Sequence, residues 1–525
     1  MAGRRRRESA HSRTVVSRRG RTRCRPLSPV VPLLAALTGL VACAPPPAAP
    51  PLVHADEFEA EIEALRAFFA IPGLSILVKQ GRSPVYERQI GFADLEKGIP
   101  VDAGTTFPIA SLTKTISTVL LLQLVEEGAL SLDDQMSDYS ERIDRSADIR
   151  VRHILSHTSE GRPGEDFLYS GRFALGRRII EQASGRTYAD LMQSRIFDRA
   201  GMTDTLPMID RTGLDAVGNR AARPYSYQGD TVPGQYEFGF STATGLASTA
   251  RDLARFDDAL DGGELLPAAR VAEMQTAFRT SGGEALPYGL GTFVQTFLGE
   301  KLVWSYGQAD CFSSLYLKVP DRDLTLIILA NNNLMSDPAR LRAGDVTDSL
   351  FALGFLKHFV YRLPDTIPFS TYLSSDELAT RITPLAVGGM SAFYRQELLA
   401  HALAAAFFGM SDAAAMSRSR SLLGLAYRLY PDLDGAGDLS LLRNLNLVTV
   451  IGGAGEFGAG IERIGGRLLS RHPEDPFVNL LLGSYYAHIG SSRKAADHYR
   501  TIVNARNYEP GWYTEIAADF LSQER

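Results

Sequence analysis

Phe107-Pro-Ile-Ala-Ser-Leu-Thr-Lys114 is followed at once by "TISTVLLLQLVEEG", a strongly apolar stretch that ends at Gly128. The spacing predicts a helix that begins at Ser111 and puts Lys114 one turn further on, so both side chains lie on one face. A helix-capping serine and a solvated lysine would satisfy that spacing without any chemistry. The chain holds only seven lysines against 48 arginines, and lysine is the cation that burial can make neutral. Desolvation beneath a packed helix, beside the positive end of its dipole, lowers a lysine pKa. A neutral amine in reach of a serine hydroxyl can then take its proton. The tetrapeptide Ser-x-x-Lys is weak alone: Ser491-Ser-Arg-Lys494 is a second copy at a helix turn, and it is read as chance.

The rest of the chain supplies the setting. Its 525 residues are too many for one ordinary core. With 45% hydrophobic and 22% charged residues, the composition is that of a soluble globular protein. Residues 1–43 differ: ten arginines and one acid precede the apolar run "VVPLLAALTGLVA" and Cys43. This is a secretory signal pattern, too short for a membrane span. Leu40-Val-Ala-Cys43 resembles a bacterial lipoprotein box, in which the cysteine is lipidated after cleavage. An ordinary signal peptide with an incidental cysteine is the alternative, and the position of the box at the end of the run favours the lipid anchor. The expected location is the periplasm or cell envelope. From Cys43 onward 45 basic and 59 acidic residues remain, a net charge of about −14. An acidic body excludes nonspecific nucleic-acid binding. Cys311 is then the single unmodified cysteine, so no internal disulfide is expected.

Residues 44–55 read as a proline-rich tether. "EFEAEIEALRAFFA" has helical spacing, while "LSILVKQ", "VYERQIGFADL" and "SLYLKVPDRDLTLIILANN" read as strands, the last two runs joined by a turn at "VPDRD". Strands at both ends with helices between predict an α+β fold over residues 56–365, an antiparallel sheet flanked by helices. Residues 366–525 read as helical. Near 477–510, Leu482, Gly483, Tyr486, Ala495, Tyr499 and Pro510 resemble a tetratricopeptide repeat. A plain helical hairpin is the simpler alternative; a repeat would offer a surface for a protein partner.

From about Phe58 to Asn333 the chain resembles the serine β-lactamase-like hydrolases, which include class C β-lactamases, D-alanyl-D-alanine carboxypeptidases and related esterases. The motifs that carry this are "GFADLEKGIPVDAGTTFPIASLTKTIST", "LLQLVEEGALSLDDQ", "IRVRHILSHTSE", "FLYSGRFALGRRIIEQASGRTYADLMQSRIFDRAGMTDT", "GLASTARDLARF" and "FSSLYLKVPDRDLTLIILANN". The resemblance implies Ser111 as acyl-accepting nucleophile, Lys114 as its base, and Tyr169 as proton relay, with a pKa lowered by the lysine. It implies no metal and no cofactor. Two departures stand out. Gly171 occupies the place of the asparagine in the family's Tyr-x-Asn motif. In the third motif, usually Lys-Thr-Gly or His-x-Gly, Ser305-Tyr306-Gly307 carries no cation, and neither does the reading one step along, Tyr306-Gly307-Gln308. Gly307 would let substrate approach the strand closely, and the N–H groups of Ser111 and Gln308 are the implied oxyanion hole.

Without that cation a substrate carboxylate loses its usual partner. This favours a small uncharged ester or amide. A D-amino-acid peptidase or β-lactamase acting on peptidoglycan-like substrates is second, and it would need an arginine from another loop. A scaffold that has lost turnover is third. His157 and the Thr249-Ala-Arg-Asp252 cap are read as structural, and Cys311 as a buried small residue. The short link from His157 to Tyr169 predicts an open cleft.

Overall fold

The computed structural model of the protein describes residues 55–363, 374–436 and 438–523. The leader, Cys43 and the tether up to residue 54 lie outside the described residues. Alternation of apolar side chains builds a seven-stranded antiparallel sheet. Its strands are β1 (Gly73–Gln80), β2 (Ser83–Asp94), β3 (Ile99–Pro100), β4 (Phe293–Phe297), β5 (Glu300–Gln308), β6 (Ser313–Val319) and β7 (Leu324–Ala330), in the order β3-β2-β1-β7-β6-β5-β4. N- and C-terminal strands therefore meet at the centre, with Leu74 opposite Ala330 and Val78 opposite Leu326. The turn at "VPDRD" is a short 3-10 turn over Pro320–Arg322, closed by Asp323 at φ +55°.

β1, β6 and β7 are buried along nearly their whole length because helices cover both faces. Leu74, Ile76 and Val78 pack on one side with α1 (Ala55–Phe68), through Phe58, Ile62 and Leu65. Leu77, Ile327 and Leu329 pack on the other with α2 (Thr113–Glu126) and α3 (Ala250–Asp261). Period-two alternation along each strand sorts these two sets. Thr249 caps α3 by accepting the Asp252 N–H, as its sequence indicates. Under α3, Lys79 of β1 and Lys318 of β6 share the buried carboxylate of Asp257.

The chain then runs through α4 (Leu350–Phe355), α5 (Ser391–Phe408), α6 (Ala413–Leu429), α7 (Leu439–Val450), α8 (Gly458–Arg471), α9 (Pro476–His488), α10 (Ser492–Asn504) and α11 (Trp512–Gln523). The α1 side of the sheet and these helices share one continuous hydrophobic cluster, from Phe58 to Ala517. Lys357 ties α1 to α5 through Glu61 at 3.0 Å and Glu397 at 2.5 Å. The α9–α10 hairpin turns at Gly490, φ +73°. Leu482, Gly483, Ala495 and Tyr499 are its packing positions, and a Cβ on Gly483 would meet the Tyr499 ring at 2.8 Å. Among the described residues, no helix is long and apolar enough to cross a membrane.

Candidate active site

Ser111 sits in a 3-10 turn, Ala110–Leu112, that leads into α2. The turn has no side-chain cap, so Ser111 is not a capping serine. Ala110, just before it, has φ +44°, a left-handed conformation that costs a non-glycine residue about 1 kcal/mol or more. That bend follows the short pairing of Phe107 and Pro108 with Ser248 and Ala247, and Ser111 stays partly accessible while α2 below it is buried from Thr113 to Leu124. The neighbouring strand makes the bend possible. A Cβ on Gly307 of β5 would lie 2.0 Å from the Ile109 carbonyl oxygen and 2.5 Å from Ser314 Oγ. Sequence assigned Gly307 to close approach of substrate; here the group that approaches is the protein's own backbone next to the nucleophile. Gly307→Ala is expected to displace the Ser111 turn, lowering both the thermal midpoint and any activity at Ser111, measurable by melting and by active-site labelling.

Lys114 Nζ lies 2.9 Å from Ser111 Oγ and 3.1 Å from the Ala243 carbonyl oxygen. It also lies 4.7 Å from the centre of the Tyr169 ring and 5.7 Å from that of Phe173. Burial pulls its pKa down to about 7. Comparison with the other buried lysines identifies the cause. Lys79, Lys318 and Lys357 each have two carboxylates within 4 Å, and for Lys318 and Lys357 those carboxylates hold the pKa up. Among the described residues, no carboxylate pairs with Lys114. Its ammonium form is desolvated and uncompensated, so the amine is favoured. By contrast, Lys494 of the chance tetrapeptide is exposed.

Tyr169 stacks on Phe293 (centroids 5.5 Å apart) and lies 4.3 Å from the His157 ring. Burial, with Tyr306 and Tyr288 alongside, raises its pKa well above the usual phenol value, although a hydrogen bond with Ser111 opposes the shift. The expected lowering by Lys114 is therefore overturned: the lysine lies over the ring face and is itself driven toward neutrality. Tyr169 is a phenol, a hydrogen-bond donor. His157 is kept neutral chiefly by burial. Its Nδ1 accepts the Ser170 N–H at 2.9 Å, which fixes the ring against Tyr169. It adopts φ +55° to do so.

The short link after His157 leaves room that the C-terminal helices fill. Gly161 N–H donates to the Asn507 carbonyl at 3.0 Å, the Glu509 N–H donates to Glu160 at 2.8 Å, and His472 bonds Asp166 at 2.7 Å. Asp166 raises the His472 pKa. Residues some 300 positions away thus clamp the loop that carries Tyr169.

β4 pairs with β5 only as far as Trp304. Among the described residues, no strand pairs with the β5 edge beyond it, through Gln308. Ala309 N–H points to β6, where the Phe312 carbonyl accepts it. Alternation then turns the Gln308 N–H to the free edge, beside the Ser111 turn. The Ser111 N–H belongs to a helical first turn, whose donors have no intrahelical acceptor. Among the described residues, no cluster of histidine, cysteine and acidic side chains is arranged to hold a metal ion.

The Beta-lactamase family model matches residues 58–348, the span that contains Ser111, Lys114, Tyr169 and the β5 edge. The chain belongs to the beta-lactamase family. It is 25% identical over 305 residues to penicillin-binding protein 4* of Bacillus subtilis, covering 49% of this chain and 67% of that protein. It is 21% identical over 378 residues to a D-aminopeptidase of Gluconobacter oxydans, covering 64% and 69% respectively. The octameric penicillin-binding protein homologue of Pyrococcus abyssi superposes with a TM-score of 0.52 at 22% identity, over 63% of this chain and 82% of that one, a likeness of fold.

Within the beta-lactamase family pattern, both departures acquire a structural setting. A Cβ on Gly171 would meet nothing within 4 Å, so the position has room for a side chain and is simply without one. The Ala243 carbonyl is the lysine's second partner, a contact no residue type in the sequence signals. Ser305 is buried on β5, facing the same way as Gly307. Tyr306 faces the opposite side and packs against Tyr169 at 5.7 Å. Its hydroxyl meets the Arg342 backbone, and the charges of Arg340 and Arg342 are near enough to oppose its rise in pKa. Cys311 is buried against Gly234.

Proposed function

We propose that the protein is a serine hydrolase that cleaves a small ester or amide through an acyl-enzyme. Neutral Lys114 takes the Ser111 proton as Oγ attacks the carbonyl carbon. The N–H groups of Ser111 and Gln308 receive the oxyanion, at about 3 kcal/mol per donor. Collapse breaks the ester or amide bond, and the leaving group takes a proton relayed from Lys114 through the Tyr169 phenol. Water then adds to the acyl carbon and gives a proton to Lys114; the acyl–Oγ bond breaks, Lys114 passes that proton to Ser111 Oγ, and the acid leaves with the serine hydroxyl and the neutral amine restored. The observation that carries this reading is a buried lysine 2.9 Å from the serine hydroxyl, with no carboxylate partner among the described residues. An ammonium held there for structure alone would be costly and idle.

Covalent labelling tests it. A fluorophosphonate is expected to add once to the chain by intact mass. The adduct should be absent in Ser111→Ala and strongly slowed in Lys114→Ala, while Ser305→Ala labels normally. Failure of the unmodified chain to label, although folded, would favour the scaffold reading. A penicillin adduct in the same experiment would favour a D-amino-acid peptidase or β-lactamase, a reading that the names of the relatives and the nearby arginines support. The leader and Cys43 support export and lipid attachment, tested by palmitate incorporation that a Cys43→Ser change removes.

A further inference from the structure

Tyr169 has a second neighbour that the reaction above does not use. A cavity of about 600 Å³ lies between its loop, the segment Arg340–Asp345 and helices α7, α9 and α11. That volume is in the range of small-molecule sites. Much of its wall is apolar, from Phe167, Leu286, Leu447, Leu480 and Phe477. Its charged groups are unequally satisfied. Asp438 and Asp475 are spent on helix N-termini, accepting backbone N–H groups at 2.8–3.1 Å. Asp345 holds Gln295 and Thr347, and Asp166 holds Arg162 and His472. Glu284 is exposed.

The arginines are not spent. Among the described residues, no carboxylate lies within ion-pair distance of Arg342 or Arg443. Arg342 is held by rings from the helical region, 5.0 Å from the centre of Phe477 and 5.5 Å from that of Trp512. Arg443 of α7 donates one N–H to the Pro338 carbonyl, and its Nη1 is buried with no partner. Burial lowers the pKa of both; the charge of Arg340 adds to this at both and that of Arg342 at Arg443, while Asp337 opposes the shift at both and Asp348 at Arg443. Of the three, Arg340 alone has an acid within ion-pair distance, Asp337 at 3.6 Å, and that acid also holds Gln308. Among the described residues, two desolvated guanidinium groups beside an apolar wall, Arg342 and Arg443, thus have no anion at ion-pair distance.

We propose that this chamber binds a carboxylate-bearing, otherwise apolar part of the substrate, with Arg342 and Arg443 as its anion-binding groups. The α7–α11 helices are then half of the specificity site. They restore, from a different direction, the positive charge that Ser305 fails to provide. The word substrate rests on the hydrolase reading; the binding site does not.

Two measurements separate these claims. Calorimetric titration of Ser111→Ala with 4-phenylbutyrate and 4-phenylbutyramide needs no turnover. The acid is expected to bind at least tenfold more tightly than the amide at low salt, and Arg342→Gln and Arg443→Gln should each remove that preference. Equal binding of acid and amide, or no binding of the acid, overturns the proposal. Should one variant fail to fold, the comparison of acid with amide on the parent chain still decides. In the active chain, the p-nitrophenyl monoester of adipic acid should exceed p-nitrophenyl hexanoate in kcat/KM by about tenfold. Arg443→Gln should bring the ratio to about one. An unchanged ratio in both arginine variants overturns the assignment. Loss of fluorophosphonate labelling with acid binding intact would overturn the hydrolase reading instead.

Discussion

Lys114→Met is expected to slow acylation of Ser111 by about 10²–10⁴-fold, the range for loss of a positioned general base, without lowering the thermal midpoint. Methionine fills similar space and carries no charge to desolvate. In the unmodified chain the acylation rate should rise with pH and level off above about 7, as the amine loses its proton. The stability consequence has the same direction. The lysine pKa is about 7 when folded, against 10.5 as its ordinary value. Between those values the unfolded chain binds more protons on this group than the folded chain. Stability from Lys114 therefore rises with pH across that window, by about 1.4 kcal/mol per unit of pKa difference at full effect. Below about pH 7 the charged lysine must be buried in both protonation balances, and the penalty is complete. Lys114→Met should lose this slope. Fluorophosphonate labelling rates from pH 5 to 9, with melting curves at pH 6 and 9, check both halves. A pH-independent labelling rate would remove Lys114 from the role of base.

The sheet was legible in the sequence because its strands are short apolar runs with clear turns. The serine and lysine were legible because they sit three residues apart on a helix whose other positions are apolar. Their environment was less so. The Ala243 carbonyl is a backbone group, so no residue type announces it. His157 stacks on Tyr169 through a left-handed backbone turn that spacing cannot reveal. The Tyr169 pKa depends on what surrounds the ring, here aromatic groups from β4 and β5 more than the lysine charge. Above all, the clamp on the Tyr169 loop and the chamber beside it combine residues 160–172 with residues 472–512. Contacts at that separation leave no periodicity, and α9 and α10 read equally well as a free-standing hairpin. Its packing residues were recognisable; the face that meets the hydrolase was not.

Asp257→Ala is expected to cost about 3–5 kcal/mol, the range for breaking a buried ion pair by removing one partner. This is a large share of a typical total of about 5–15 kcal/mol. Asp257 is fully buried under α3 and holds Lys79 at 2.6 Å and Lys318 at 2.9 Å, with Tyr316 and Thr325 also bonded to it. Those lysines keep its own pKa low, so its contribution persists above the ordinary carboxylate value and fades as pH falls toward and below it. Removing it leaves Lys79 with Asp258 and Lys318 with Asp261, both more exposed acids. Denaturant unfolding measures the loss. A change under 1 kcal/mol would mean that those outer acids suffice. Ser111 labelling per folded molecule should be unchanged, because the cluster lies under α3 and bonds neither Ser111 nor Lys114. The two sites apply one rule in opposite senses. A buried lysine beside carboxylates stays charged and binds helix to sheet. Lys114, equally buried and with a serine hydroxyl, a carbonyl and aromatic rings as its neighbours in place of carboxylates among the described residues, is brought close to neutral, where it can accept a proton. The absence of an acid near Lys114 is thus as much a part of the site as the serine. Adding one, for example by Thr118→Asp on the next turn of α2, should raise the lysine pKa and move the rise in labelling rate to higher pH.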